Sequence, residues 1–296
     1  MNRWHHRAAP LLWLLVFSLA CDLTSPVASA SIATTPTPSA PAAPTLTPQR
    51  VTFQSDGLTL VGYLFKPDGP GPFPAVLWNH GSEQNPDVTV EFGSVASIFV
   101  PAGYVVFAPV RRGQGQSQGQ YISDAVAQVR QAQGADAARQ FFVAQMSGPQ
   151  LDDQLAGLAY LKSQPYVDTN RLAVVGCSYG GIETLFAAER GAGFKTAVAE
   201  SPGAESWDGN TYLQTRLLNA VDNINMPVFL LHPEKDASVA PGYALGQEFQ
   251  KDGKPYGLEI YPPFGPADEQ GHCFGGGVGF HIWAPDVLSF LSNTLK

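Results

Sequence analysis

Cationic side chains are scarce in this sequence. Seventeen lysines and arginines stand against 25 aspartates and glutamates, a formal charge of −8. Binding to phosphate backbones needs a basic face, so this balance argues against nucleic acid as a partner. The one close arginine pair, Arg111 and Arg112, sits in a glycine-rich motif taken up below. Long apolar runs are also missing from the interior of the chain, and none is long and charge-free enough to cross a bilayer. Cysteine is nearly absent, with Cys21, Cys177 and Cys273 as the complete set.

The N-terminus departs from the rest. Arg3 and Arg7 precede "AAPLLWLLVFSLA", a run too short for a membrane span but suited to the core of a signal peptide. Ala28 to Ala30 supplies a small-x-small cleavage site, so residues 1–30 read as a signal peptide and the protein as exported from a bacterial cytoplasm. A rival cleavage before Cys21 would leave a lipid anchor on that cysteine, and the destination is then periplasmic, secreted or membrane-anchored. Residues 31–50, "SIATTPTPSAPAAPTLTPQR", cannot bury apolar surface and read as a disordered tether. Export allows Cys177 and Cys273 to pair, but each lies beside a candidate catalytic residue, where a bridge is sterically awkward.

From residue 51 to 296 the pattern is that of one α/β domain. "VTFQS" and "LTLVGYLFKP", joined by Asp56-Gly57, predict a hairpin whose turn takes positive φ. "PAVLWNH", "GYVVFAPV", "RLAVVG", "FKTAVAES", "PVFLLH" and "YGLEIYP" are short apolar runs suited to strands, six of them after the hairpin's two. Helices are expected at 90–100, 151–162, 178–189, 212–221, 242–249 and 285–295. This alternation predicts an eight-stranded, mostly parallel sheet with helices on both faces. Residues 121–150 exceed an ordinary connection. They read as one or two helices, either a longer crossover or a lid over the site.

"GCSYG", Gly176 to Gly180, fits G-x-S-x-G between a strand and a helix. Ser178 takes the exposed apex of a strained turn, and Cys177 is directed inward as a small buried residue. A serine hydroxyl needs a base, and that base an orienting acid. In this architecture the order is serine, acid, histidine. His232 precedes the acid and fails on order; His281, in "GFHIW", reads as a packed histidine. His272, in the glycine-rich "DEQGHCFGGG" after the last strand, is the candidate base. Asp236 in "PEKDASVAP" is the candidate acid, with Glu234 as alternate and Asp268 as a distant rival. The N–H of Tyr179 and that of Ser82, in "NHGSEQ", are the candidate oxyanion donors, which leaves His80 a structural role.

On these motifs, residues 51–296 resemble α/β-hydrolases of the dienelactone hydrolase and prolyl oligopeptidase-like (acylaminoacyl-peptidase-like) group. "NHGS", "APVRRGQGQSQGQY", "YVDTNRLAVVGCSYGG", "HPEKDASVAP" and "GHCF" carry the likeness. It implies a triad of Ser178, Asp236 and His272, the assignment the residues themselves support. Two departures stand out. Dienelactone hydrolases proper place cysteine at the apex, whereas here Ser178 holds it; and residues 31–50 read as a tether where the peptidases carry a propeller. "RRGQGQSQG" lacks the strand-to-helix setting of a phosphate loop and is expected to shape the mouth of the site. The expected substrate is a small-molecule ester, or a short acyl or peptidyl compound. No metal or organic cofactor is called for. Amide hydrolysis, lactone hydrolysis, acyl transfer and a non-catalytic binding role are the competing readings.

Overall fold

The computed structural model describes residues 46–263, 271–276 and 279–296. The signal peptide, Cys21, nearly all of the tether and the rival acid Asp268 lie outside the described residues. β1 (Gln49–Ser55) begins inside the end of the stretch read as tether, because Gln49 and Arg50 pair with Leu64 and Tyr63 of β2 (Leu58–Phe65). Asp56 and Gly57 close this hairpin at φ of 48° and 76°, the left-handed geometry that a two-residue turn between twisted strands requires.

β3 (Phe73–Asn79), β4 (Val105–Val110), β5 (Val167–Cys177), β6 (Thr196–Glu200), β7 (Val228–Pro233) and β8 (Tyr256–Tyr261) complete an eight-stranded sheet in the order β1-β2-β4-β3-β5-β6-β7-β8. β1–β2 and β2–β4 pair antiparallel and the remaining neighbours parallel. This is the α/β-hydrolase fold. Every residue of β4 and β6 is buried, as strands covered on both faces must be.

Period-two alternation divides the core in two. Leu77, Val174 and Ala197 belong to one apolar cluster; Val76, Val175 and Val198 belong to the other, on the opposite face. The second face is covered by α1 (Gly93–Phe99) and α9 (Phe280–Thr294), through Phe99, Phe280, Trp283 and Leu291. The first is covered by α2 (Ile122–Gln133), α3 (Ala135–Ser147), α4 (Pro149–Lys162), α5 (Tyr179–Arg190), α6 (Thr211–Val221) and α7 (Ala240–Lys251). The last short helix, α8 (Cys273–Gly276), follows His272. Residues 121–150 thus form two helices, separated at Gly134, whose φ is 91°.

Two expectations are corrected. α9 starts at Phe280, well before Pro285, because Phe280, Trp283 and Ala284 bury an apolar stripe one turn ahead of the proline. His281 lies on that helix and is exposed, where a buried position was expected. Among the described residues no helix is long and apolar enough to cross a membrane.

Candidate active site

The elbow is built by β5 running straight into α5. Ser178 sits between them at φ 59° and ψ −118°, a conformation non-glycine residues adopt only when their surroundings enforce it. The neighbouring glycines permit it. A methyl group on Gly180 would overlap the Asn79 carbonyl, and one on Gly176 would meet Asn79 and the Gly180 carbonyl, so the end of β3 packs directly on the turn. The Ser178 N–H donates to the Glu200 carbonyl at 2.9 Å and ties the apex to β6.

The C-terminal ends of β5, β7 and β8 deliver Ser178, Asp236 and His272 to one point, the edge at which α/β sheets place their ligands. Ser178 Oγ lies 2.6 Å from His272 Nε2, and His272 Nδ1 lies 2.7 Å from Asp236 Oδ1. With Nδ1–H donating to the carboxylate, Nε2 is left free to accept the serine proton. Glu234, the alternate acid, is exposed and touches neither partner; its N–H donates to the Tyr261 carbonyl.

His232 has a place that chain order alone did not reveal. It is fully buried, and its Nδ1 lies 3.2 Å from the second oxygen, Oδ2, of Asp236. The Ala237 N–H donates to Oδ1 at 2.7 Å. Burial by itself would raise the Asp236 carboxyl, but hydrogen bonds to His232 and His272 outweigh it and hold this acid below the usual carboxylate range. For His272, burial would lower the imidazole. The Asp236 hydrogen bond and charge, aided by Glu205 and Glu83, reverse that and raise it above its ordinary value. Glu205 is exposed and approaches His272 Nε2 to 4.0 Å.

Tyr179, the residue after Ser178, and Ser82 carry the two candidate oxyanion donors. Among the described residues neither the Tyr179 N–H nor the Ser82 N–H is spent on a hydrogen bond. The loop carrying Ser82 is set by Arg111, which is 1% exposed. Its Nη2 donates to the His80 carbonyl at 2.9 Å and also to the Gly81 carbonyl, and lies 3.3 Å from His80 Nδ1. Burial first, and then the Arg111 charge, push the His80 imidazole well below its ordinary value, so it is neutral and structural. The same guanidinium stacks on the Tyr179 ring, 4.7 Å from its centroid. Gln114 Nε2 donates to the Glu83 carbonyl at 2.7 Å and the Gly115 N–H to that of Gln84 at 2.7 Å. Arg112 is anchored to Asp153 through Nε at 2.9 Å and Nη2 at 2.8 Å. The "RRGQGQSQG" stretch therefore braces the loop that carries Ser82.

Cys177 and Cys273 are joined in a disulfide, with Cα atoms 5.9 Å apart, against the expectation that a bridge beside these residues is awkward. The reason is local geometry. The elbow sends Ser178 outward and buries Cys177, while Cys273 and Phe274 take positive φ of 55° and 49° and turn the chain after His272 back under itself. The bridge is thus compatible with the contact between Ser178 and His272. Glu200 lies beside it, its carboxyl within 4.8 Å of both sulfurs. That carboxyl has no hydrogen-bond partner among the described residues, and burial pushes it well above the usual range.

Over Tyr179 lies the α2–α3 pair. Phe142 packs edge-on against the Tyr179 ring, centroids 5.7 Å apart, and the Tyr179 hydroxyl donates to Gln150 Oε1 at 2.7 Å. Phe142, Val126 and Ala138 line a cleft of about 300 Å³ that Ser206 and Asn210 close from the other side, with Arg130 and Arg139 at its rim. Trp207, next to Ser206, is core. Tyr212 clips α6 to α3, its hydroxyl donating to Asp136 at 2.9 Å and accepting from Gln140 at 2.9 Å.

Residues 60–276 match the dienelactone hydrolase family. Mouse dipeptidyl peptidase 8 is 30% identical over 246 residues, which cover 73% of this chain and 26% of that protein. The chain thus spans about a quarter of the length of that relative. An uncharacterized peptidase of Bacillus subtilis is 24% identical over 246 residues, 72% of this chain and 84% of its own length. Two solved structures share the fold. The acylaminoacyl peptidase of Pyrococcus horikoshii superposes with a TM-score of 0.63 at 18% identity, over 85% of this chain and 42% of its own. An esterase of Pyrococcus furiosus gives 0.62 at 17% identity, over 85% and 92%.

Proposed function

This chain belongs to the dienelactone hydrolase family, and from that premise we propose that it is a serine hydrolase that cleaves carboxylic esters through an acyl-enzyme on Ser178. The observation that carries this reading is the 2.6 Å contact between Ser178 Oγ and His272 Nε2. His272 takes the serine proton as Oγ attacks the ester carbonyl. Asp236, ionised at neutral pH, fixes the imidazole tautomer through Nδ1 and stabilises the imidazolium that forms. The oxygen of the tetrahedral intermediate is received by the N–H groups of Tyr179 and Ser82, each donor contributing about 10²–10³ in rate. His272 then protonates the departing alcohol. A water molecule, activated by the same imidazole, releases the acid.

Hydrolysis of p-nitrophenyl esters of graded acyl length tests the reading, comparing the protein with Ser178→Ala. Turnover that survives the substitution would sink it. The likeness to peptidases supports a second reading, amide hydrolysis by the same residues. Matched ester and amide substrates separate the two, and an amide cleaved faster than its ester decides for the peptidase.

Export belongs to the same proposal. Arg3, Arg7 and the apolar run ahead of Ala28 and Ala30 support a signal peptide, with Cys21 as the site of a lipid anchor if cleavage falls before it. Sequencing the N-terminus of the protein recovered from the cell envelope tests this directly, and an intact Met1 there would refute it.

A further inference from the structure

We propose that the Cys177–Cys273 disulfide is a positioning link for His272: oxidised, it holds the imidazole on Ser178, and its reduction by a dithiol turns the hydrolase down. The inference rests on the reading that Ser178 and His272 carry the reaction. The bond joins the residue immediately before the candidate nucleophile to the residue immediately after the candidate base, 96 positions apart in the chain. It therefore fixes the His272 segment to the elbow itself.

Three features of residues 271–276 show why such a link matters. Cys273 and Phe274 both hold positive φ without being glycine, a backbone state that persists only when the surroundings over-determine it. The Phe274 side chain is fully buried and packs against Tyr261, ring centroids 5.4 Å apart, so the segment keeps one apolar anchor without the bridge. Among the described residues, His272 is held by its bonds to Asp236 and Ser178 and approached by a distant Glu205. Breaking the bridge leaves Phe274 docked and frees the turn at Cys273 to relax, which moves the imbalance onto His272.

The sulfur chemistry is asymmetric in the same sense. Cys177 is 2% exposed, while Cys273 is only half-buried. A thiolate of the dithiol attacks Cys273 Sγ, the S–S bond breaks, and Cys177 leaves with the electron pair. Glu200, whose carboxyl lies within 4.8 Å of both sulfurs, is placed to protonate it. The second thiol of the dithiol then displaces Cys273, giving two protein thiols and the oxidised, cyclised dithiol.

The test uses the full chain, treated with dithiothreitol under native conditions, with free thiols counted by alkylation and mass spectrometry. As two thiols appear, kcat on a p-nitrophenyl ester is expected to fall by about 10², with KM within about twofold, an unchanged far-ultraviolet circular dichroism spectrum, and recovery on reoxidation. The Cys177→Ser, Cys273→Ser double variant should show the reduced rate and ignore the dithiol. An unchanged kcat with both thiols alkylated overturns the proposal. So does a loss of kcat that tracks loss of the circular dichroism signal, because the bridge would then hold the fold and not the base. Labelling of Ser178 by a fluorophosphonate provides a readout independent of ester turnover, and its rate should fall by the same factor. An oxidised protein that labels but cleaves no ester refutes the ester reading alone, and the labelling rate then judges the link. One that neither labels nor cleaves refutes both.

Discussion

The guanidinium of Arg111 lies 4.7 Å from the centre of the Tyr179 ring while its Nη2 holds the His80 carbonyl at 2.9 Å. One buried side chain thus touches both the residue and the loop that carry the candidate oxyanion donors. Arg111→Met keeps much of the volume but removes the donors to His80 and Gly81. Its kcat/KM is expected to fall by about tenfold or more, read from steady-state ester hydrolysis, with a lower thermal midpoint because two buried carbonyls lose their partner. Arg111→Lys should not restore the rate, since an ammonium cannot both fork to the loop and stack on the ring.

His232 holds the second oxygen of Asp236 at 3.2 Å. In His232→Leu that oxygen loses a donor, and the carboxylate is freer to turn away from His272. The expected result is a loss of kcat of about tenfold with KM little changed. Asp236→Asn should be far more severe, about 10⁴, because it presents the wrong hydrogen-bonding partner to Nδ1. If the two variants lose the same amount, His232 is doing more than orienting the acid.

The pH profile has a definite sign. A base works in its neutral form, and His272 is raised above the ordinary imidazole value by Asp236 and, in smaller part, by Glu205 and Glu83. The acid limb of kcat/KM should therefore lie above that of an unperturbed histidine. Glu205→Gln removes one nearby negative charge, so the imidazolium is less stabilised and the limb should move to lower pH. Measuring kcat/KM from pH 5 to 9 for both forms checks this. Since Glu205 is exposed, the difference should shrink as salt is added.

Phe142 borders the cleft of about 300 Å³ and packs on Tyr179. Phe142→Ala enlarges this cleft next to Tyr179 and should shift the preferred p-nitrophenyl ester toward longer acyl chains. It also removes a ring contact worth about 0.5–1.5 kcal/mol beyond the area it buries. An unchanged chain-length profile would place the acyl group elsewhere.

Local chemistry was enough for much of this protein. Asp56-Gly57 dictates its turn by backbone preference, and the short β-branched runs dictate buried strands by burial on both faces. Gly176 and Gly180 flanking Ser178 dictate an elbow because no larger residue fits beside Asn79. Those requirements act within a few residues, so a one-dimensional pattern records them. The contacts made by His272, Asp236 and Ser178 follow from the order of strands in the sheet and were legible for that reason. The role of Arg111 was not, because a buried arginine looks like a surface arginine in sequence until the His80 carbonyl and the Tyr179 ring are brought around it. His232 was legible as a strand-end residue but not as a partner of Asp236. The disulfide was decided only by tertiary structure. Cys177 and Cys273 are 96 residues apart, and whether neighbours of the serine and histidine can also meet depends on the positive φ at Ser178 and Cys273, which turns each sulfur beneath the site while the adjacent side chains face one another above it.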